Sequence, residues 1–130
     1  MASFKYFEDI EAWQLARELC NTIYRITLYE KFSKDYNLIN QISRSSASIM
    51  DNIAEGFERE GTKEFIQFLS ISKASCGEVR SQLYRALDRN YIADKEFTEI
   101  KEKAIVISKK LGALINYLKK TDYKGSKYKS

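Results

Sequence analysis

Seven apolar residues near the end of the chain, Phe97, Ile100, Ala104, Ile107, Leu111, Leu114 and Leu118, follow one another at alternating spacings of three and four. A helix of 3.6 residues per turn gathers such a series into one stripe, and a stripe repeated over three heptads needs a partner helix to cover it. The same alternation runs through Phe65, Leu69, Ser72, Cys76, Val79, Leu83 and Ala86. It recurs in Trp13, Ala16, Cys20 and Ile23, widened by Leu15, Leu19 and Ile26, and in Leu38, Ile42, Ile49 and Ile53. The spacing predicts helices over 9–30, 36–58, 63–89 and 95–120, with Leu69, Val79, Leu83, Ile107, Leu111 and Leu114 in the core.

The breaks between these segments carry helix stop and start signals. Ser33 or Asp35 is the expected N-cap of the second helix. Gly61 reads as a C-terminal glycine followed by Thr62 as N-cap, and Asn90 and Asp94 repeat those two roles. Short links between long amphipathic helices force antiparallel neighbours, so the expected fold is all-α, an up-down-up-down antiparallel four-helix bundle. A chain of 130 residues without proline and with five glycines fits that class and not an all-β one. The bundle is expected to span 1–118, followed by a basic, flexible tail over 119–130.

Histidine is absent from the sequence, which removes the commonest general base, the commonest metal ligand and every Ser-His or Cys-His pair. A di-metal bundle would need Glu-x-x-His on two helices, and Asp51 with Glu55 alone does not make one. No enzymatic activity and no cofactor are expected. Cys20 and Cys76 both fall on apolar stripes without CxxC spacing, so they read as reduced core thiols. The N-terminus lacks the apolar stretch of a signal peptide and no run suggests a membrane span, so a cytoplasmic protein with no membrane partner is expected.

Some residues lie outside what a monomeric bundle requires. On the third helix Ser70, Ala74, Gly77 and Ser81 form a second line of small residues. The second helix offers Ser43, Ala47 and Ala54, and the fourth offers Val106, Ala113 and Tyr117 away from its heptad stripe. A mid-helix glycine costs about 1 kcal/mol relative to alanine, so Gly56, Gly77 and Gly112 need a packing or functional reason, and close contact is the expected one. Either the second and third helices pack tightly within one bundle or a back face meets another subunit, and surplus apolar and small faces favour the homo-oligomer interface. Within "RSSASIMDNIAEGFERE", Ser45, Ser46 and Asn52 edge the apolar stripe, while Arg44, Ser48, Asp51, Glu55 and Arg59 form a polar line. That line is either a solvated salt-bridged face or a register device in an interface.

The segments "FEDIEAWQLA" from Phe7, "QISRSSASIMDNIAEGFER" from Gln41, "KEFIQFLSISKASCGEVRSQL" from Lys63 and "YIADKEF" from Tyr91 together resemble the four-helix-bundle family of 23S rRNA intervening-sequence proteins. The resemblance runs from about Phe4 to Leu118, and its most specific element is Arg44, Ser48-Ile49 and Asn52-Ile53-Ala54-Glu55-Gly56. It implies a small bacterial bundle without established enzymatic activity, assembled as a ring-like homopentamer. It also implies kinship with the accessory protein of diversity-generating retroelements, which associates with a reverse transcriptase and nucleic acid. The family often carries a proline in the first interhelical loop, where this chain reads Lys31-Phe32-Ser33-Lys34.

Residues 1–118 carry 17 Lys/Arg and 17 Asp/Glu, so the net charge of +4 resides in the last twelve residues. There Lys119, Lys120, Lys124, Lys127 and Lys129 alternate with Tyr123 and Tyr128, a pattern suited to phosphate contacts and base stacking. Arg44 and Arg59 are second-rank candidates for the same role. The expected function is a pentameric scaffold whose partners are itself and RNA, single-stranded nucleic acid or a nucleoprotein. The alternative is a purely structural or protein-interaction module whose tail only aids solubility.

Overall fold

The computed structural model describes residues 4–123. Among these, four helices and no strand are found: α1 Glu11–Thr27, α2 Tyr36–Glu58, α3 Thr62–Asp88 and α4 Asp94–Tyr123. Each helix packs on its neighbours in the chain and α1 also packs on α4, which closes the ring of a four-helix bundle. Leu69, Val79, Leu83, Ile107, Leu111 and Leu114 are all buried, as their spacing predicts. No helix among the described residues is long and apolar enough to cross a membrane.

α1 is shorter than the apolar spacing suggests, for a local reason at each end. At its start the Asp9 carboxylate accepts from the backbone N–H groups of Lys5 (3.1 Å) and Tyr6 (3.0 Å), holding Phe7–Asp9 as a 3-10 turn. Phe7 then packs edge-on against Trp13, with ring centroids 5.2 Å apart. At its end the chain leaves the helix so that Phe32, within a second 3-10 turn at Phe32–Lys34, can enter the core and stack on Tyr91 at 5.0 Å. That turn occupies the loop in which the family often has proline.

The capping groups differ in part from expectation. Asp35, not Ser33, caps α2 by accepting from Leu38 N–H at 3.1 Å. Asn90 does end α3: its φ is 62°, with Tyr91 N–H bonded to Ala86 O and Asn90 N–H to Leu87 O, both at 2.9 Å. This is the pair of bonds that a left-handed residue allows at a helix C-terminus. Gly61 and Thr62 correct the reading, because Gly61 is extended (φ −106°, ψ 146°) and occupies the N-cap position, while Thr62 is already helical and buried. Asp94 is likewise the first residue of α4 and not the residue before it.

The polar and small surface of α2 is consumed mainly by α3. Ser72 Oγ donates to Ile49 O at 2.8 Å, and Ser75 Oγ donates to Ser48 Oγ at 2.9 Å. Asn52 Nδ2 holds Ser48 in place with bonds to its carbonyl and hydroxyl oxygens, each 2.9 Å. On the α1 side Cys20 Sγ donates to Ser46 O at 3.2 Å. Such bonds contribute about 1 kcal/mol each and fix register, because an unmatched buried hydroxyl costs more than a matched one stabilises. Gly56 lets the α2 backbone approach Phe68 and Phe65 closely. Ser48 therefore belongs to an intrachain joint and not to an outward polar line.

Candidate functional site

The outward residues fall on distinct sides of the bundle. Ser70, Ala74 and Ser81 are exposed along the outer side of α3, with Ile71 beside them 49% exposed. On α2 Ser43 is exposed and Ala47 and Ala54 are half-buried. Val106, Ala113 and Tyr117 lie elsewhere, on the seam between α4 and α1. Val106 lines a hollow of about 170 Å³ with Leu15, Ile107, Glu18, Glu99, Glu102 and Lys103. Ala113 and Tyr117 line a second, of about 230 Å³, with Phe4, Ile10, Ala12 and Leu114. The Glu11–Lys110 ion pair, 3.2 Å long, bridges the two helices along this seam. The ring order of the helices places the α1–α4 seam across the bundle from the α2–α3 joint.

The three mid-helix glycines have three different settings. A methyl on Gly56 would meet Phe68 Cβ at 2.5 Å, the close contact expected of it; one on Gly112 would meet Lys73 Cε at 3.3 Å; one on Gly77 would meet nothing within 4 Å. Gly77 makes no close contact within the described residues, and the space beside it is open.

The basic candidates also divide. Arg59 is engaged: its guanidinium lies 3.2 Å from Glu55 and 4.0 Å from Glu64, and over the Phe68 ring at 5.1 Å from the centroid. Arg44 is exposed and joins no ion pair among the described residues. Lys119 and Lys120 are exposed on the final turns of α4, which continues to Tyr123. Lys124, Lys127, Lys129 and Tyr128 lie outside the described residues, and so does the side chain of Tyr123.

One basic line was missed by the sequence reading. Lys73, Gly77, Arg80 and Tyr84 follow one another along α3 at spacings of four, three and four, and Lys73 and Tyr84 both meet α4. Lys101 of α4 stands 5.7 Å from the Tyr84 ring centroid and 5.3 Å from that of Phe97, whose ring meets Tyr84 edge-on at 4.8 Å. Arg80 Nε is buried without a hydrogen-bond partner among the described residues. The signal was available as a spacing, but the neutral charge total of residues 1–118 hid it.

The two thiols are free. Burial pushes Cys76 up to about 12, outweighing the nearby cations Lys73 and Arg80, and burial also raises half-buried Cys20. Among the described residues no group of three or more His, Cys, Asp or Glu side chains converges as a metal site would require.

A family model described as 23S rRNA-intervening sequence protein matches residues 8–113. Among curated proteins none matches significantly. Among solved structures, the crystal structure of a protein of unknown function from the S23 ribosomal protein family of Bacteroides thetaiotaomicron VPI-5482 is similar. It has a TM-score of 0.74 at 25% identity, covering 80% of this chain and 97% of that one. With the same four-helix bundle and a family match over most of its length, the chain belongs to the family of 23S rRNA-intervening sequence proteins.

Proposed function

We propose that the protein is a non-enzymatic, self-assembling scaffold, a homopentameric ring that presents basic segments to RNA. The observation that carries the assembly is the α1–α4 seam, where Leu15, Val106, Ala113 and Tyr117 border apolar hollows that the described residues leave open. Across the bundle lie the exposed small residues Ser70, Ala74 and Ser81 beside Ile71, and α2 adds Ser43, Ala47 and Ala54. Two unlike patches on opposite sides of one subunit are what a head-to-tail ring uses, whereas a twofold dimer needs one self-complementary patch. The subunit number follows the family resemblance. Lys119, Lys120, Lys124, Lys127 and Lys129 bring the net positive charge, and ring formation multiplies a weak phosphate contact through effective concentration.

Light scattering on the purified protein tests the assembly: the expected mass is that of a pentamer, and a monomer at micromolar concentration refutes it. In an assembling protein, Ala74→Trp or Ala47→Trp should break the ring without loss of helicity. Fluorescence anisotropy with a single-stranded RNA tests the partner. Binding that weakens with salt is expected, and an assembled ring without RNA binding would leave the structural module as the function.

A further inference from the structure

We infer that the groove between α3 and α4 is itself an RNA-binding surface, one that takes the phosphodiester backbone of a single strand and stacks a base on Tyr84. The inference rests on the RNA reading above and assigns a site on the folded body, separate from the C-terminal lysines.

The geometry follows from two fixed points. Lys73 Cε lies 3.3 Å from where a methyl on Gly112 would be, and Lys101 lies over the ring of Tyr84. These set the antiparallel register of α3 and α4, and by that register Gly77 and Ser108 fall at the same level. Gly77, Ser108 and Gly112 thus give a run of small residues along the two helices, with open space beside Gly77. Beside this run stand Lys73, Arg80 and Lys101, none of which joins an ion pair among the described residues. At 1.5 Å per residue, Arg80 lies about 10 Å along the axis from Lys73, and the level of Tyr84 and Lys101 about 16 Å. A strand laid along this groove meets cations at each of these levels.

Three features favour a polyanion over a protein partner. The small residues along the two helices are glycine and serine, which admit a phosphate close to the backbone but offer little apolar area. Arg80 Nε is a buried donor with no acceptor among the described residues, and an unpaired buried donor is costly unless a ligand supplies the acceptor. Tyr84 is 47% exposed, with Phe97 edge-on to it and Lys101 beside it, an aromatic surface on which a base can stack next to a cation. Lys73, Arg80, Tyr84 and Lys101 belong to neither proposed assembly face, and the small-residue face adjoins them only at Gly77. The α1–α4 seam, by contrast, is bordered by Glu18, Glu99 and Glu102 and repels the same ligand.

The test uses the full chain and a short, fluorescently labelled, mixed-sequence single-stranded RNA, with anisotropy at low and moderate salt. The K73Q/R80Q/K101Q variant should bind about tenfold or more weakly, with the log–log salt slope reduced by about 2, since each single-strand phosphate contributes about 0.7. Gly77→Leu, which fills the open space beside Gly77 without altering charge, should weaken binding as well, in a variant whose mass by light scattering equals the parent's. Amine-reactive footprinting of the unmutated protein needs no variant to fold: RNA should protect Lys73 and Lys101 more than Lys31 and Lys34. The groove assignment is overturned if those two lysines are protected no better than the controls. It is also overturned if both groove variants bind like the parent while replacement of Lys119, Lys120, Lys124, Lys127 and Lys129 by Gln abolishes binding; the RNA reading then survives on the tail. Absence of binding by the parent protein overturns both.

Discussion

A methyl group placed on Gly56 would stand 2.5 Å from Phe68 Cβ, closer than two carbons can approach. The contact is with the base of the Phe68 side chain, which cannot swing aside without moving α3. It also lies within 3.1 Å of Phe65 Cδ1, in a buried ring that meets Phe57 edge-on. The gain in helix propensity from alanine is at most about 1 kcal/mol, and overpacking of this kind costs typically about 1–3 kcal/mol. Gly56→Ala should therefore destabilise the protein on balance. A urea midpoint equal to or above that of the parent would show that α2 and α3 can separate freely at this point.

Gly77 gives the opposite expectation from the same kind of residue. It is mid-helix with nothing within 4 Å of the missing methyl, so Gly77→Ala should stabilise the folded chain by roughly 0.5–1 kcal/mol. Thermal unfolding of the variant measures this directly. A loss of stability would mean that something covers the position.

The contrast between these glycines marks where the sequence stops being informative. Helix periodicity alone located the bundle, because alternating threes and fours leave few other structures able to bury Phe97 through Leu118. Asn90 was legible as a helix stop, since few residues tolerate the left-handed conformation. Thr62 was not legible as a buried first-turn residue, because its type favours a cap and only the extended backbone of Gly61 displaces it from that position. The small residues were legible as a class but not by destination. Whether Gly56 meets Phe68, or Gly77 meets nothing, depends on a neighbouring helix whose rotation the chain's own spacing does not give. Charge failed for a related reason: a neutral total is compatible with Lys73, Arg80 and Lys101 sharing one groove and Glu18, Glu99 and Glu102 sharing another.

Two leucines one turn apart on α4 should respond unequally to truncation. Leu111 is fully buried, whereas Leu114 retains 8% of its exposure and lines the open hollow beside Phe4 and Tyr117. Leu111→Ala leaves a closed cavity and should cost about 2–5 kcal/mol. Leu114→Ala enlarges a space that water already reaches and should cost less. Chemical denaturation of the two variants checks the order, and a loss under about 1 kcal/mol at Leu111 would mean the seam is misplaced.

The stability of the end of the bundle that holds the α1–α2 and α3–α4 loops should depend on pH through Asp35. Its carboxylate caps α2 through Leu38 N–H, and its Oδ2 accepts from Tyr91 Oη at 2.8 Å and from Arg89 Nη1 at 2.7 Å. The hydrogen bond from Tyr91 leads the effects that hold the Asp35 carboxyl below its ordinary value of 3.8, with the Leu38 cap next. A group with a lowered folded pKa binds protons more readily when unfolded, so its contribution is present in full above about pH 4 and is lost as pH falls through the lowered value. The same bond raises Tyr91 above its ordinary 10.0, because donating to Asp35 favours the neutral phenol. That contribution is complete below about pH 10 and disappears as pH rises through the raised value. Tyr91→Phe keeps the ring that stacks on Phe32 but removes the donor, so it should lower the urea midpoint near neutral pH. It should also reduce the fall in midpoint below pH 4 and the fall above pH 10, relative to the parent. Asp35→Ala should cost more at neutral pH, because it removes the cap, worth about 0.5–2 kcal/mol, together with the partner of Arg89. Parallel midpoint curves for the parent and Tyr91→Phe across both limits would show that the Tyr91–Asp35 bond makes no net contribution in solution.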